Sequence, residues 1–283
     1  MTTENIASRA MLVSLKVGQW TARKLDKTAT QEVTVNHAAA SDAGRFNKQI
    51  IDKNSLLPMV QIAGAARTFF YQHTLPWSDN GDRVLSSLNY FKVMDQLRVL
   101  KADFASAVDV FCRDYDMHRD RAKLHLNSLF KEADYPQSWE IREKFYMDFS
   151  VMPLPVAGDF RVAMSDDVVD EVRQEIETQL NARVQGMVES VWTELVGTVS
   201  HLRDRLKGDG PLFASALDNI VDLLDRLPGL NITNDANIDT MRKEIRQLTA
   251  GLDMKDIKKD DALRASVIDK TNEILAQMQG LCA

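Results

Sequence analysis

Residues 166–207 read DDVVDEVRQEIETQLNARVQGMVESVWTELVGTVSHLRDRLK, and this stretch decides the architecture. Its apolar positions are Val169, Val172, Ile176, Leu180, Val184, Met187, Val191, Leu195, Val199, Leu202 and Leu206. Ten steps of three or four residues cover 37 residues, about 3.7 per step, so these side chains share one side of a single helix. A heptad repeat averages about 3.5 and supercoils left-handed, whereas a repeat near 3.7 packs straight or slightly right-handed. Ser165, Asp166 and Asp167 supply a cap and acids for the positive end of the helix dipole. Arg203, Arg205 and Lys207, followed by Gly208 and Pro211, supply the stop. The predicted rod is roughly 60 Å long at about 1.5 Å per residue.

Gly186 and Gly197 lie nearly three turns apart on this helix and therefore face the same way. Each costs about 1 kcal/mol relative to alanine. They either admit the close approach of another helix or are tolerated at the surface. Three shorter helices are expected at 212–227, 235–252 and 260–281, striped by Leu217, Ile220, Val221 and Leu224, by Ile238, Met241, Ile245 and Leu248, and by Leu263, Val267, Ile274 and Met278. Val184, Met187, Val191, Leu195, Val199 and Leu202, with the two glycines, form the candidate helix–helix seam. The stripes suit a fold-back within one chain and a seam shared with a second subunit equally.

Upstream, strand and helix signals mix. Residues 11–20 alternate as a half-buried strand. Residues 21–40 and 55–73 read as helices, with Pro58 in the first turn of the second, where a missing N–H costs little. The run 73–82 is a loop by its Pro, Asn-Gly and Asp content, and 83–87 a short strand. From Asn89 a long helix is striped by Tyr90, Met94, Leu97, Leu100, Phe104, Val108, Phe111 and Tyr115 and continues or re-forms to about Leu129. A short helix at 138–144 precedes strands at 146–154 and 159–164, whose neighbouring prolines argue for a sheet edge. The fold class is mainly α with a small β component. An α+β part at 1–165 precedes a coiled-coil-like helical part at 166–283.

Of 283 residues, 45% are hydrophobic and 27% charged, which excludes a disordered tail or a membrane protein. The net charge of −6 excludes a globally basic nucleic-acid coat. Charge is uneven, with 12 Lys/Arg against 8 Asp/Glu in residues 1–100 and 14 against 22 in residues 166–283, which suggests two parts with different partners. Two distant cysteines, Cys112 and Cys282, cannot staple such a chain, and MTTENIASRA is no secretory leader, so a cytoplasmic protein is expected.

Catalytic motifs are absent: there is no Gly-Lys-Ser/Thr phosphate loop, Gly-x-Gly-x-x-Gly, Gly-x-Ser-x-Gly, zinc-spaced cysteine pair or His-Glu-x-x-His. His118 and His125 share a helical face near Asp114 and Asp116, a pattern that suits a metal but suits structural histidines better. His73, Asp79 and Asp82 bracket the Trp77 loop, best read as a turn anchored by its tryptophan. Glu132, Asp134, Glu140 and Asp148 fit a nuclease cluster poorly, because 140–142 is Glu-x-Arg rather than Glu-x-Lys. Neither an enzyme, a cofactor nor a metal is expected.

The N-terminal part does interleave cations with rings: Trp20, Arg23, Lys24, Lys27, then Arg45, Phe46, Lys48, then Arg67, Phe69, Phe70, Tyr71 and Trp77. Rings stack bases and cations hold phosphates, so Trp20, Arg23, Lys24, Lys27, Arg45, Lys48, Arg67 and Trp77 form a candidate face for single-stranded nucleic acid or for a protein.

These residues also carry a resemblance. The runs Trp20-Thr-Ala-Arg-Lys-Leu-Asp-Lys27, Asp42-Ala-Gly-Arg-Phe-Asn-Lys48, Thr74-Leu-Pro-Trp-Ser-Asp-Asn-Gly81, Glu132-Ala-Asp-Tyr-Pro136 and Gly158-Asp-Phe-Arg-Val162 resemble a family of tailed-bacteriophage and prophage proteins known only as a domain of unknown function. The resemblance covers about residues 11–175 and transfers no catalytic residue. Some members associate with MoxR-type ATPases and CobT-like von Willebrand A proteins, which implies a non-catalytic partner of an ATPase machine. The expectation is therefore a non-enzymatic, self-associating scaffold protein of phage origin, with single-stranded nucleic-acid binding as the alternative.

Overall fold

The computed structural model describes residues 6–159, 166–208, 210 and 212–281. The fold is mainly helical with a small β component. In chain order the elements are β1 (Ala10–Gly18), β2 (Arg23–Leu25), α1 (Lys27–Asn36), β3 (Asn47–Gln49), α2 (Lys53–His73), β4 (Leu75–Pro76), β5 (Arg83–Ser86), α3 (Tyr90–Arg113), α4 (Tyr115–Leu126), α5 (Ser138–Glu143) and β6 (Tyr146–Pro153). The remainder is α6 (Asp166–Lys207), α7 (Ser215–Leu230), α8 (Ala236–Thr249), α9 (Met254–Lys259) and α10 (Asp261–Leu281).

Two compact units divide the chain. The first comprises Met1–Ser14, Tyr71–Val93 and Ser150–Ala283, the second Leu15–Phe70 and Met94–Phe149. Their boundaries fall inside β1, α2, α3 and β6, not in loops, so periodicity gives no sign of them. Residues 166–283 lie wholly in the first unit, as one helical part, but residues 1–165 contribute to both. Redrawn this way, the second unit holds 17 Lys/Arg against 15 Asp/Glu and the first 18 against 26.

In the first unit, α6 packs against α7 and α10, and α8 packs against both of those. Met187, Val191, Leu195, Val199, Leu202 and Leu206 are at most 2% exposed and share one core with Leu217, Ile220, Leu224, Ile238, Met241, Ile245, Val267, Ile274 and Met278. The α6 stripe is thus covered within one chain. Val221, expected in the stripe of α7, is exposed, and Leu223 and Leu227 fill the core instead. The end of α6 finds a donor from α10, since Arg264 Nε donates to Leu206 O (2.6 Å), and its Nη2 donates to Gly208 O just past the helix (2.7 Å).

Helix α7 runs past Pro228, where a stop was expected. Proline lacks the N–H that should bond the carbonyl four residues back. That carbonyl, Leu224 O, accepts from Arg242 Nε of α8 at 2.8 Å instead. Replacing Arg242 with Met should therefore orphan a part-buried carbonyl and cost about 1–3 kcal/mol, read as a lower urea midpoint.

In the four-stranded sheet, ordered β4-β5-β1-β6, β6 lies at an edge, as its prolines require. Strand β5 is antiparallel to β1, with Ala10 opposite Ser86 and Val13 opposite Arg83. The strand expected at 159–164 and Cys282 lie outside the described residues, apart from Asp159, which ends a 3-10 turn.

In the second unit, the helix expected over 21–40 is shorter. Arg23–Leu25 instead pair antiparallel with Asn47–Gln49. Asp26 then caps α1, its carboxylate accepting from Ala29 N at 3.2 Å. Phe104, Val108, Phe111 and Tyr115 of the α3–α4 stripe pack with Ile51, Met59, Ala63, Ile141 and Phe145. No helix among the described residues is long and apolar enough to cross a membrane.

Candidate functional site

The second unit carries a pocket of about 630 Å³ where the start of α2 meets one face of α4. Asp52 sets the α2 side. Its carboxylate accepts from Asn54 N at 3.0 Å and its carbonyl from Ser55 N at 3.0 Å, so the chain enters the helix with Lys53, Asn54 and Ser55 in the first turn lining the pocket. On α4, His118, Arg121, Ala122 and His125 are spaced at three, four and seven residues and therefore share a face. Gln49, the last residue of β3, completes the wall.

His118 is the most constrained of these side chains. Its ring stacks on Phe111 (5.3 Å between centroids, 15° between planes), and Nδ1 lies 3.1 Å from Ser55 Oγ. Burial holds its pKa below the ordinary histidine value and the Arg121 guanidinium adds to this, with Asp114 and Asp52 opposing. The imidazole is accordingly neutral near pH 7. No carboxylate hydrogen-bonds Nε2 among the described residues, so the Ser55–His118 pair lacks the orienting third member of a nucleophilic triad. Lys53, Arg121 and His125 make no ion pair with a carboxylate among the described residues. The first turn of α2 adds the partial positive charge of a helix N-terminus. In charge and in donor content the lining suits an anion.

The cations of the candidate face separate into three groups. Arg23, Lys24, Lys27 and Arg45 are exposed in the second unit. Gln49 joins them to the pocket: its Nε2 donates to Thr21 O (3.0 Å) and Ala22 O (3.2 Å), while its Oε1 accepts from Arg23 Nε at 3.4 Å. Arg67 is half-buried and donates to Val17 O at 3.3 Å. Lys48 is a correction. It is 3% exposed, with Nζ 2.9 Å from Asp26 Oδ2, 2.7 Å from Asp134 Oδ2 and 2.6 Å from Leu129 O. Burial works to lower its pKa, but Asp134 and Asp26 outweigh that and hold it above the ordinary lysine value. Asp26, bonded by Lys48 and Ala29 N, is held well below the usual carboxylate range.

The rings separate as well. Trp20 is half-buried against Phe111 (6.4 Å) and Tyr115 (6.3 Å), leaving Phe46 as the exposed ring of that face within the second unit, while Tyr71 of the first unit is exposed beneath the Arg83 guanidinium. Trp77 is a second correction: it belongs to the first unit, is 7% exposed, and has the Arg183 guanidinium 5.1 Å from its ring centroid. Its backbone N–H donates to Asp82 O, so the loop is a turn anchored on its tryptophan.

Glu132, Asp134, Glu140 and Asp148, which fit a nuclease cluster poorly in sequence, have separate structural duties. Glu132 pairs with Arg119, Asp134 with Lys48, Asp148 with Lys101, and Glu140 accepts from Gln137 N. Among the described residues no group of three His, Cys, Asp or Glu side chains is placed to hold a metal. On α6, Val184 is half-buried and the rest of the apolar seam is buried within its own chain. Gly186 and Gly197 are exposed, and a Cβ at either meets nothing within 4 Å, so neither serves a close helix approach in this chain. Gly197 instead lines a polar groove of about 460 Å³ with Glu194, His201, Asp222 and Arg226. Its one arginine is already committed, donating to Gln72 O (2.6 Å) and Glu194 Oε1 (3.3 Å).

Sequence reading missed Lys53, Asn54, Ser55 and Arg121. The available signal was Arg121 three residues after His118, on the same helical face. No family model, curated protein or solved structure matches the chain, so the phage-family resemblance rests on the quoted motifs alone.

Proposed function

We propose that this is a non-enzymatic binding protein whose second unit engages single-stranded nucleic acid through its phosphates. One observation carries the reading: Lys53 and Arg121, free of carboxylate partners among the described residues, line one pocket at a helix start. Through Gln49 that pocket adjoins Arg23 on the exposed strand β2 that also bears Lys24. A pocket of this size admits a nucleotide and not a duplex. With Phe46 as the exposed ring of that face within the second unit, phosphate contacts dominate over stacking. Affinity should therefore be salt-steep and poorly sequence-selective. Fluorescence anisotropy with a labelled 20-nucleotide strand tests this. Replacing Arg23 and Lys24 together with Ala should weaken binding and flatten the slope of log K against log salt by about 2. Absence of binding at 50 mM salt rejects the reading.

A self-associating scaffold is the second reading, favoured now by α2 in place of α6. Its solvent face, Leu57, Val60, Gln61, Gly64, Ala65 and Thr68, carries no charge, and Leu57 and Val60 are 44% and 51% exposed. Light scattering of the wild type above the 31.9 kDa monomer mass, falling to it on Val60→Asp, is the expected signature. A wild type that is monomeric at all concentrations removes it.

A further inference from the structure

We infer that the α2–α4 pocket receives a phosphomonoester group, the terminal phosphate of a strand or nucleotide, and not a backbone diester. This deepens the nucleic-acid reading and rests on the same unit.

The donor set is the first argument. Lys53, Asn54, Arg121 and His125, donor-bearing residues, all line one pocket. That supply suits the three free oxygens of a terminal phosphate better than the two non-bridging oxygens of a diester. Arginine in addition offers paired donors to a phosphate edge.

Charge is the second. Lys53 and Arg121 bring two permanent positive charges against the single carboxylate of Asp52, one oxygen of which is occupied by Asn54 N–H. The first turn of α2 adds about half a charge. A diester carries one negative charge, a phosphomonoester about 1.5 to 2 near neutrality. The excess left in the pocket matches the monoester.

Placement is the third. The Gln49 amide, tied to Thr21 O and Ala22 O, stands between the β2 cations and the pocket. Arg23 lies directly opposite Gln49 in the register and donates to it at 3.4 Å, so a strand held at Arg23 meets the pocket at Gln49 and can present its end there.

The test compares one 20-nucleotide sequence with 5′-phosphate, 3′-phosphate or hydroxyl ends, alongside inorganic phosphate and a nucleoside monophosphate. Ring resonances of His118 and His125 are followed by NMR. One phosphorylated end should bind about tenfold tighter than the hydroxyl strand. Arg121→Ala, and separately Lys53→Ala, should bring that ratio to about one, with circular dichroism confirming the fold. If no strand binds but the monophosphate shifts both histidines in wild type and not in Arg121→Ala, the pocket assignment stands and the strand reading fails. Equal affinity for all three strand ends overturns the pocket assignment and spares the strand reading. Silence of both histidines and of every strand overturns both.

Discussion

Leu195→Asp should unfold the helical core of the first unit, not dissociate an oligomer. Leu195 is 1% exposed, and its neighbours one turn away on the same face, Val191 and Val199, are 2% and 1% exposed. The core around them is filled by α7, α8 and α10 of the same chain. Truncation to Ala alone removes a buried isobutyl group and leaves a cavity, about 2–5 kcal/mol. A carboxylate there would enter a core of apolar side chains, and burying an unpaired charge costs more still. The whole stability of a domain is about 5–15 kcal/mol. The expected outcome is a graded loss from Leu195→Ala to Leu195→Asp in helical signal and urea midpoint, with no folded particle of lower mass. A folded Leu195→Asp protein of reduced mass would show the seam to be intermolecular. Gly197→Ala is the companion. With nothing within 4 Å of its Cβ, it should stabilise the exposed face of α6 by about 1 kcal/mol.

Lys48→Met should cost the second unit about 3–5 kcal/mol, because it leaves the Asp26 and Asp134 carboxylates without the ammonium they share. Lys131, 3.4 Å from Asp26, is half-exposed and compensates only in part. Lys48 sits opposite Lys24 in the β2–β3 register, so loosening it should also blur the strand pair that presents Arg23 and Lys24. Neutralising the carboxylates in the triple variant Lys48→Met, Asp26→Asn, Asp134→Asn should recover much of the loss. A single variant within 1 kcal/mol of wild type in urea denaturation would contradict the role given to this network.

The same triad sets a pH window. Asp26 titrates lower in the folded state than in the unfolded chain, so its contribution is full above about pH 4 and is lost as pH falls further. Lys48 titrates higher when folded, so its contribution is full below about pH 10 and is lost as pH rises beyond that. The contribution of this triad should be flat between these limits and fall on both sides, and Lys48→Met should reduce the alkaline limb, to which the Tyr115 and Tyr135 hydroxyls, pushed up to about 12 by burial, also contribute.

Helix α6 was legible end to end because its determinants are local: a 3.6-residue period, acids at the start, cations and Gly208 at the end. The same locality accounts for β1, α2 and α3. Strands β2 and β3 were illegible, being three residues each and held by pairing across 21 intervening residues and by the Asp26 cap. Composition could not separate Lys48 from Arg23 or Lys24 either, since its burial depends on Asp26 and on Asp134 far along the chain. For the pocket, sequence showed the His118–His125 face of α4 but not the α2 turn that meets it, 63 residues away from His118 at Ser55.

By itself, the sequence determined the long striped helices and which face of each must be covered, because a stripe of apolar side chains cannot stay in water. What covers each stripe was decided by tertiary structure alone. Burial is non-directional, and a leucine gains as much from its own chain's helices as from a neighbour's. Chain connectivity, through the short links from α6 to α7 and on to α10, put those helices within reach first.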